Sequence, residues 1–146
     1  VLFRQHILDQ IADVEGDIVL AVDALWRERD PDPASRTRDL VSCSAPFNTG
    51  YLNDESVSVR KIGHDLNADE IDGEWIGVAR LSADGAATIR GELNNMSVDG
   101  SLTKASLTDL FARLLARNVS IQILYVAGQW LDVDNPGDLE DASSFL

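Results

Sequence analysis

Residues 17 to 26 read DIVLAVDALW, and this run restricts the fold more than any other stretch. A strand with one wet face alternates apolar and polar side chains, because successive residues point to opposite sides. From Ile18 to Val22 every residue is apolar, so both faces of this strand need cover. Cover on both faces points to a sheet flanked by helices, an α/β arrangement.

The rest of the chain supplies the cover. Leu2, Phe3, His6, Ile7, Gln10, Ile11 and Val14 recur at helical spacing, which predicts an amphipathic helix running from the first residue. A helix that opens the chain in this way suggests a fragment of a longer protein. Residues 104 to 117, KASLTDLFARLLAR, form the clearest helix, with Leu107, Leu110, Phe111, Leu114 and Leu115 on one face. Ser106 and Asp109 there have capping-box spacing. Ser82 caps a further helix over 83 to 95, followed by a loop over 96 to 101. Strands are predicted at 40–47, 56–62, 74–82, 120–128 and 129–134, with a last helix over 135–145. The order implies a mixed sheet with helices on both faces, in one domain over residues 1–146. Segments 54–62 and 74–82 are readable as a hairpin-like insert.

The formal net charge of −13 argues against nucleic acid as a partner, since phosphate backbones are held by clustered Lys and Arg. No apolar run approaches the roughly 20 residues of a membrane span. Nothing in the sequence resembles a basic, apolar leader. The single Cys43 has no partner for an internal disulfide, which fits a reducing compartment. A soluble cytoplasmic protein without a membrane partner is therefore expected, and homodimerisation stays open.

The stretch QWLDVDNPGDLEDA, residues 129 to 142, combines a strand end with a helix start. Asn135 suits the cap, Pro136 the first turn and Asp138 the capping-box acid. Local structure thus accounts for those residues but not for Asp134, which falls at a carboxyl strand end, where α/β proteins bind ligands. Asp132 shares its face. Carboxylates there can hold Mg²⁺, which takes one or two protein carboxylates and completes its shell with water and phosphates. A turn aspartate that caps local backbone is the other reading of Asp134.

Other residues invite similar pairs of readings. Lys104 opens the leucine helix, where a cation opposes the dipole; contact with an anionic phosphonate or phosphate would explain it, as would simple solvation. Glu74 and Trp75 could hold a cationic amine by charge and cation–π attraction, or Trp75 could be a core residue. Trp130 faces the same choice. Asp23 also ends a strand at the carboxyl side, a position suited to substrate or metal contacts. His6 and His64 look incidental, Cys43 structural, and Arg60 and Lys61 solvated.

Several of these segments resemble one family. WLDVDNPGDLEDA is similar to the end of nucleotidyltransferase domains of the sugar-nucleotide type, where W-x-[DE]-[IV]-D-[ST/N]-x-x-D-L recurs. VLFRQHIL with GDIVLAVDALW, and RKIGHDLNADEIDGEWIGVARLSADGAATIR, resemble segments of cytidylyltransferases acting on phosphocholine or 2-aminoethylphosphonate, including those fused to phosphoenolpyruvate mutase. KASLTDLFARLL is similar to their K-A-x-L-T-D-L-L helix, which adds Thr108 and Asp109 to the substrate-contact candidates. The similarity runs in order along nearly the whole chain.

The resemblance implies a Rossmann-like nucleotidyltransferase fold and transfer of CMP from CTP to a small phosphonate or phosphate, with pyrophosphate released. It also implies Mg²⁺ at Asp134 with Asp132, and Lys104 as a catalytic contact to the acceptor. One departure is plain. The family's Gly-rich loop ending in Arg, G-x-G-x-x-R, is absent, so the chain is expected to be the C-terminal portion of such a domain. On that reading it lacks the N-terminal nucleotide-binding strand and is inactive alone. A non-catalytic binding or regulatory module and a sugar-phosphate nucleotidyltransferase are the alternatives.

Overall fold

The computed structural model describes residues 1–29, 37–48, 56–133 and 143. It is an α/β protein with a mixed five-stranded sheet. β1 (Leu2–Phe3), α1 (Gln5–Asp13), β2 (Ile18–Asp23) and the single-turn α2 (Trp26–Arg29) come first. β3 (Leu40–Cys43), β4 (Val59–Gly63) and β5 (Gly73–Leu81) follow. α3 (Ala83–Val98), a 3₁₀ turn (Ser101–Thr103), α4 (Leu107–Ala116), β6 (Gln122–Val126) and β7 (Trp130–Leu131) complete the described elements.

The strand order in the five-stranded sheet is β4-β3-β5-β2-β6. Only β2 and β6 run parallel; the other pairs are antiparallel. β2 lies between two neighbours and is buried at every position, as its apolar run predicts. Its side chains divide between two cores. Ile18, Leu20 and Val22 pack with Met96 of α3 and with Leu110, Phe111 and Leu114 of α4. Val19 and Ala21 pack with Ile7 and Ile11 of α1. Each large aliphatic side chain so buried stabilises the fold by about 1.5–3 kcal/mol, and the division places helices on both sheet faces.

The outer strands also meet. Val59 N–H donates to Ile121 O at 2.8 Å, and Ile123 N–H to Val57 O at 2.9 Å. The sheet therefore curls until the start of β4 touches the start of β6. Among the described residues no helix is long and apolar enough to cross a membrane.

Several predicted boundaries shift for tertiary reasons. The first helix begins at Gln5 rather than at residue 1, because Leu2 and Phe3 pair antiparallel with Leu131 and Trp130. Arg4 N–H then donates to Gln129 O at 3.1 Å. Segments 54–62 and 74–82 do not form a hairpin, because β3 lies between β4 and β5. The connector ends on β3 instead: Asp72 N–H bonds Val41 O at 2.9 Å, and its carboxylate accepts from Cys43 N–H at 2.7 Å. Helix α3 continues through Met96, which is 1 % exposed, so burial extends a helix that composition would end at residue 95. The helix over 135–145 lies outside the described residues.

Two local devices hold the helices in place. The Ser82 hydroxyl accepts from Gly85 N–H at 3.0 Å and donates to Asp17 Oδ1 at 2.6 Å. Gly85 sits so close to the strand entry that a Cβ there would stand 2.1 Å from Asp17 O. At the end of α1, the Arg80 guanidinium donates to the carbonyls of Ile11, Val14 and Gly16. Those carbonyls have no partner within the helix.

Candidate functional site

The parallel pair β2 and β6 brings Asp23 beside Val126, and Asp23 also lies opposite Glu74 of β5. Facing residues on paired strands project to the same side, so two carboxylates share one sheet face at the carboxyl end of β2.

Asp23 is fully buried. Its Oδ1 accepts from Leu25 N–H at 3.0 Å and Gly128 N–H at 3.1 Å; its Oδ2 accepts from the Trp130 indole at 2.8 Å. These bonds tie the end of β2 to the turn before β7. That turn contains two successive left-handed residues, Gly128 at φ 69° and Gln129 at φ 63°. A non-glycine residue there costs about 1–2 kcal/mol, and the Asp23 anchor together with the Arg4–Gln129 bond holds it.

Glu74 is buried and pairs with Arg38, with Nη1 to Oε2 at 3.5 Å. The same Nη1 donates to Trp26 O at 3.3 Å. The Trp26 ring lies 5.0 Å from the Arg27 guanidinium and 5.6 Å from that of Arg38. The Arg38 carbonyl accepts from His64 Nδ1 at 2.9 Å. A carbonyl only accepts, so Nδ1 carries the proton, and in the neutral ring Nε2 is the acceptor. Its neighbour is the Thr108 hydroxyl at 3.5 Å. Asp39 Oδ1 lies 3.5 Å from Nδ1. His64, incidental by sequence, therefore links the strand-end cluster to the start of α4.

At that start the expected capping box is formed. Ser106 Oγ accepts from Asp109 N–H at 3.1 Å, and Asp109 Oδ2 accepts from Ser106 N–H at 2.8 Å. The Ser106 backbone N–H, followed by its hydroxyl, holds the Asp109 carboxyl below the usual carboxylate range. Thr108 is buried, with its hydroxyl 2.7 Å from Ser106 Oγ.

Three expectations about substrate contacts change. Glu74 and Trp75 do not form an amine cage, because neighbouring strand residues point to opposite faces. Trp75 turns into the α4-side core, edge-on to Phe111 with centroids 5.2 Å apart, and its indole donates to Val78 O. Trp130 is likewise a core residue, 3 % exposed, with its N–H committed to Asp23. Lys104 does not open α4; it follows the 3₁₀ turn, exposed, and lines a groove of about 550 Å³ between α3 and α4. That groove lies on the opposite side of the sheet from Asp23 and Trp130.

Of the two expected metal ligands, Asp134 lies outside the described residues. The Asp132 side chain is 32 % exposed just past β7. Among the described residues no three His, Cys, Asp or Glu side chains gather as a metal site. A carboxylate on a strand end is nonetheless the hard oxygen donor that Mg²⁺ takes singly or in pairs, so the donor chemistry at Asp132 fits that ion. Cys43 is buried, and burial pushes its thiol up to about 11, which leaves it a poor nucleophile at neutral pH.

Sequence reasoning passed over Arg38 and His64. Neither stands in an apolar pattern, and only the fold brings the segment before β3, the segment after β4 and the start of α4 together. No family model matches the chain, and no curated protein matches it.

Proposed function

We propose that residues 1–146 are the C-terminal portion of a cytidylyltransferase domain with a Rossmann-like nucleotidyltransferase fold. On this reading it transfers CMP from CTP to a small phosphonate or phosphate such as 2-aminoethylphosphonate or phosphocholine. The support is twofold: the ordered similarity of WLDVD, GEWIG, KASLTDL and IVLAVD to that family, and one structural observation. The strand bearing Trp130 is bonded to the carboxyl end of β2 through Asp23, and Asp132 stands partly exposed immediately beyond it.

In this reading Asp132 and Asp134 hold Mg²⁺, which when bound neutralises charge on the triphosphate. Asp23 and Trp130 fix the strand end that carries both acids, and the buried Arg38–Glu74 pair stiffens the adjoining edge. An acceptor oxygen attacks the α-phosphorus of CTP, the bond to the β-phosphate oxygen breaks, and pyrophosphate leaves. The protein's share of such a reaction is positioning and charge screening. The chain holds no G-x-G-x-x-R loop, so activity is assigned to it only when joined to a segment that carries one. Lys104, on the other side of the sheet, is not part of this site.

The test joins the chain to such an upstream segment and follows pyrophosphate release from CTP with each acceptor. Asp132→Asn and Asp134→Asn should each lower the rate by about 10²-fold or more. Unchanged rates would remove the metal assignment, and no release with any nucleotide or acceptor would remove the enzymatic reading.

A second reading, a non-catalytic small-molecule binding module, is favoured by one observation: the chain holds no G-x-G-x-x-R loop to wrap a triphosphate. Calorimetry of the 146-residue chain with 2-aminoethylphosphonate or phosphocholine discriminates, since tight binding without nucleotide supports only this second reading.

A further inference from the structure

Ser42 stands within β3 and is 9 % exposed, yet among the described residues its hydroxyl makes no hydrogen bond. Buried polar groups are as a rule bonded, and an exception calls for a cause. The cause lies in direction. Val41 and Cys43 turn into the α4-side core, so Ser42 faces the other side of the sheet. There α1 covers β2, β5 and β6, where Ile7 and Ile11 pack with Val19, Ala21, Ile76 and Val126. β3 and β4 lie beyond that cover, and Ser42 opens into a cavity of about 490 Å³. Small-molecule sites span about 300–1,000 Å³.

The cavity is polar. β4 lends it Arg60 and Lys61, and the connector after β4 lends it Asp69, Glu70 and Asp72. The connector is fastened to β3 by Asp72, whose Oδ2 accepts from Cys43 N–H at 2.7 Å. Lys61 and Glu70 neutralise each other at 2.7 Å, and Asn67 holds Glu70 at 3.1 Å. That pair shapes the cavity without selecting an occupant. What remains is a cation and two acids with open valences. Arg60 is in no ion pair among the described residues; its guanidinium donates to the Ser44 carbonyl at 3.0 Å and keeps its other N–H groups. Asp69, and Oδ1 of Asp72, accept no bond among the described residues.

This charge pattern discriminates. A simple cation meets Arg60, and a simple anion meets Asp69 and Asp72; like charges so juxtaposed exclude a ligand. A molecule with an ammonium and a carboxylate a few atoms apart satisfies both ends. A guanidinium takes a carboxylate through parallel N–H bonds, and a hydroxyl can donate to the same group. We propose that the cavity beside β3 binds a small amino carboxylate, its carboxylate on Arg60 and Ser42 and its ammonium on Asp69 and Asp72. The site does not depend on nucleotidyl transfer, and it uses neither Asp132 nor Asp134.

The experiment titrates the isotope-labelled 146-residue chain with β-alanine and follows amide shifts by NMR. Propanoate and ethylamine, each with one of the two charges, are the controls. Saturable binding of β-alanine, centred on residues 42–44 and 69–72 and at least about tenfold tighter than either control, supports the proposal. Ser42→Ala, Asp69→Asn and Arg60→Gln should each weaken it by about tenfold. Ser42→Ala also separates a ligand contact from a structural one, since a hydroxyl without a partner in the fold can be removed with no fall in the urea midpoint. No saturation at millimolar concentration, a control that binds as well as β-alanine, or binding that Ser42→Ala or Asp69→Asn leaves unchanged overturns the proposal. So does a Ser42→Ala variant whose urea midpoint falls, because the hydroxyl would then be serving the fold.

Discussion

The Asp23–Trp130 contact admits a prediction whose size follows from counting donors. In the native site Oδ1 serves two backbone N–H groups and Oδ2 serves the indole N–H. Asp23→Asn keeps the shape but offers one oxygen and one NH₂, so whichever way the amide turns, at least one buried donor faces another donor. An unsatisfied buried donor costs about 1–3 kcal/mol. The bonds that remain lose their charge assistance, which roughly halves them. Together the substitution should destabilise by about 2–4 kcal/mol, a large share of the about 5–15 kcal/mol of a typical domain. Trp130→Phe should also destabilise, through a cavity and the loss of the indole N–H bond to Asp23. In the double variant the clash between indole and amide no longer exists, so its cost should fall short of the sum by about 1–3 kcal/mol. Urea unfolding of the four proteins by circular dichroism measures the cycle. Costs that add to within about 0.5 kcal/mol, or an Asp23→Asn variant as stable as the parent, would refute the claim that this carboxylate anchors the strand end.

Three further outcomes are expected. Gly85→Ala should lower the melting temperature, although the same change in an open helix gains about 0.5–1 kcal/mol, because its Cβ would press on Asp17 O; a rise in stability would contradict that packing. Gln129→Gly should be neutral or stabilising by up to about 1 kcal/mol, since φ 63° suits glycine, and a clear loss in the same melts would show that the side chain contributes more than the backbone strain. Because burial raises the Cys43 thiol from 9.0 to about 11, its linked stability is fully present below pH 9 and is lost as pH rises toward 11. Urea midpoints across that range should therefore fall more steeply for the parent than for Cys43→Ala, and parallel slopes would argue against a buried neutral thiol.

Much of the frame can be read without coordinates because it is written in local periodicity. The apolar run Ile18–Val22 requires cover on two sides, and the amphipathic patterns of α1 and α4 supply it. The Ser106–Asp109 cap depends on spacing alone, and it is present. Boundaries failed where distant segments intervened. Leu2 and Phe3 have helical periodicity, yet they pair with β7, and backbone pairing over a buried Trp130 outweighs a weak local preference.

The candidate site was less legible for the same reason. Carboxylates at strand ends can be picked out by position, but their duties depend on which donors approach them. Asp23 is legible as an acid at a carboxyl strand end and Glu74 as half of an amine contact; only the fold delivers the indole of Trp130 and the N–H groups of Leu25 and Gly128 to one, and Arg38 to the other. The adjacency of Glu74 and Trp75 suggested a shared ligand, while the alternation of a strand sends them to opposite cores.

What the amino-acid order determined by itself is therefore the class of architecture, the caps and the two-sided burial of β2, since these follow from spacing within a few residues. What tertiary structure alone decided is which polar groups stay open to solvent. Exposure and hydrogen-bond partnership arise from contacts as distant as Asp23 with Trp130, and such contacts leave no periodic trace in the chain.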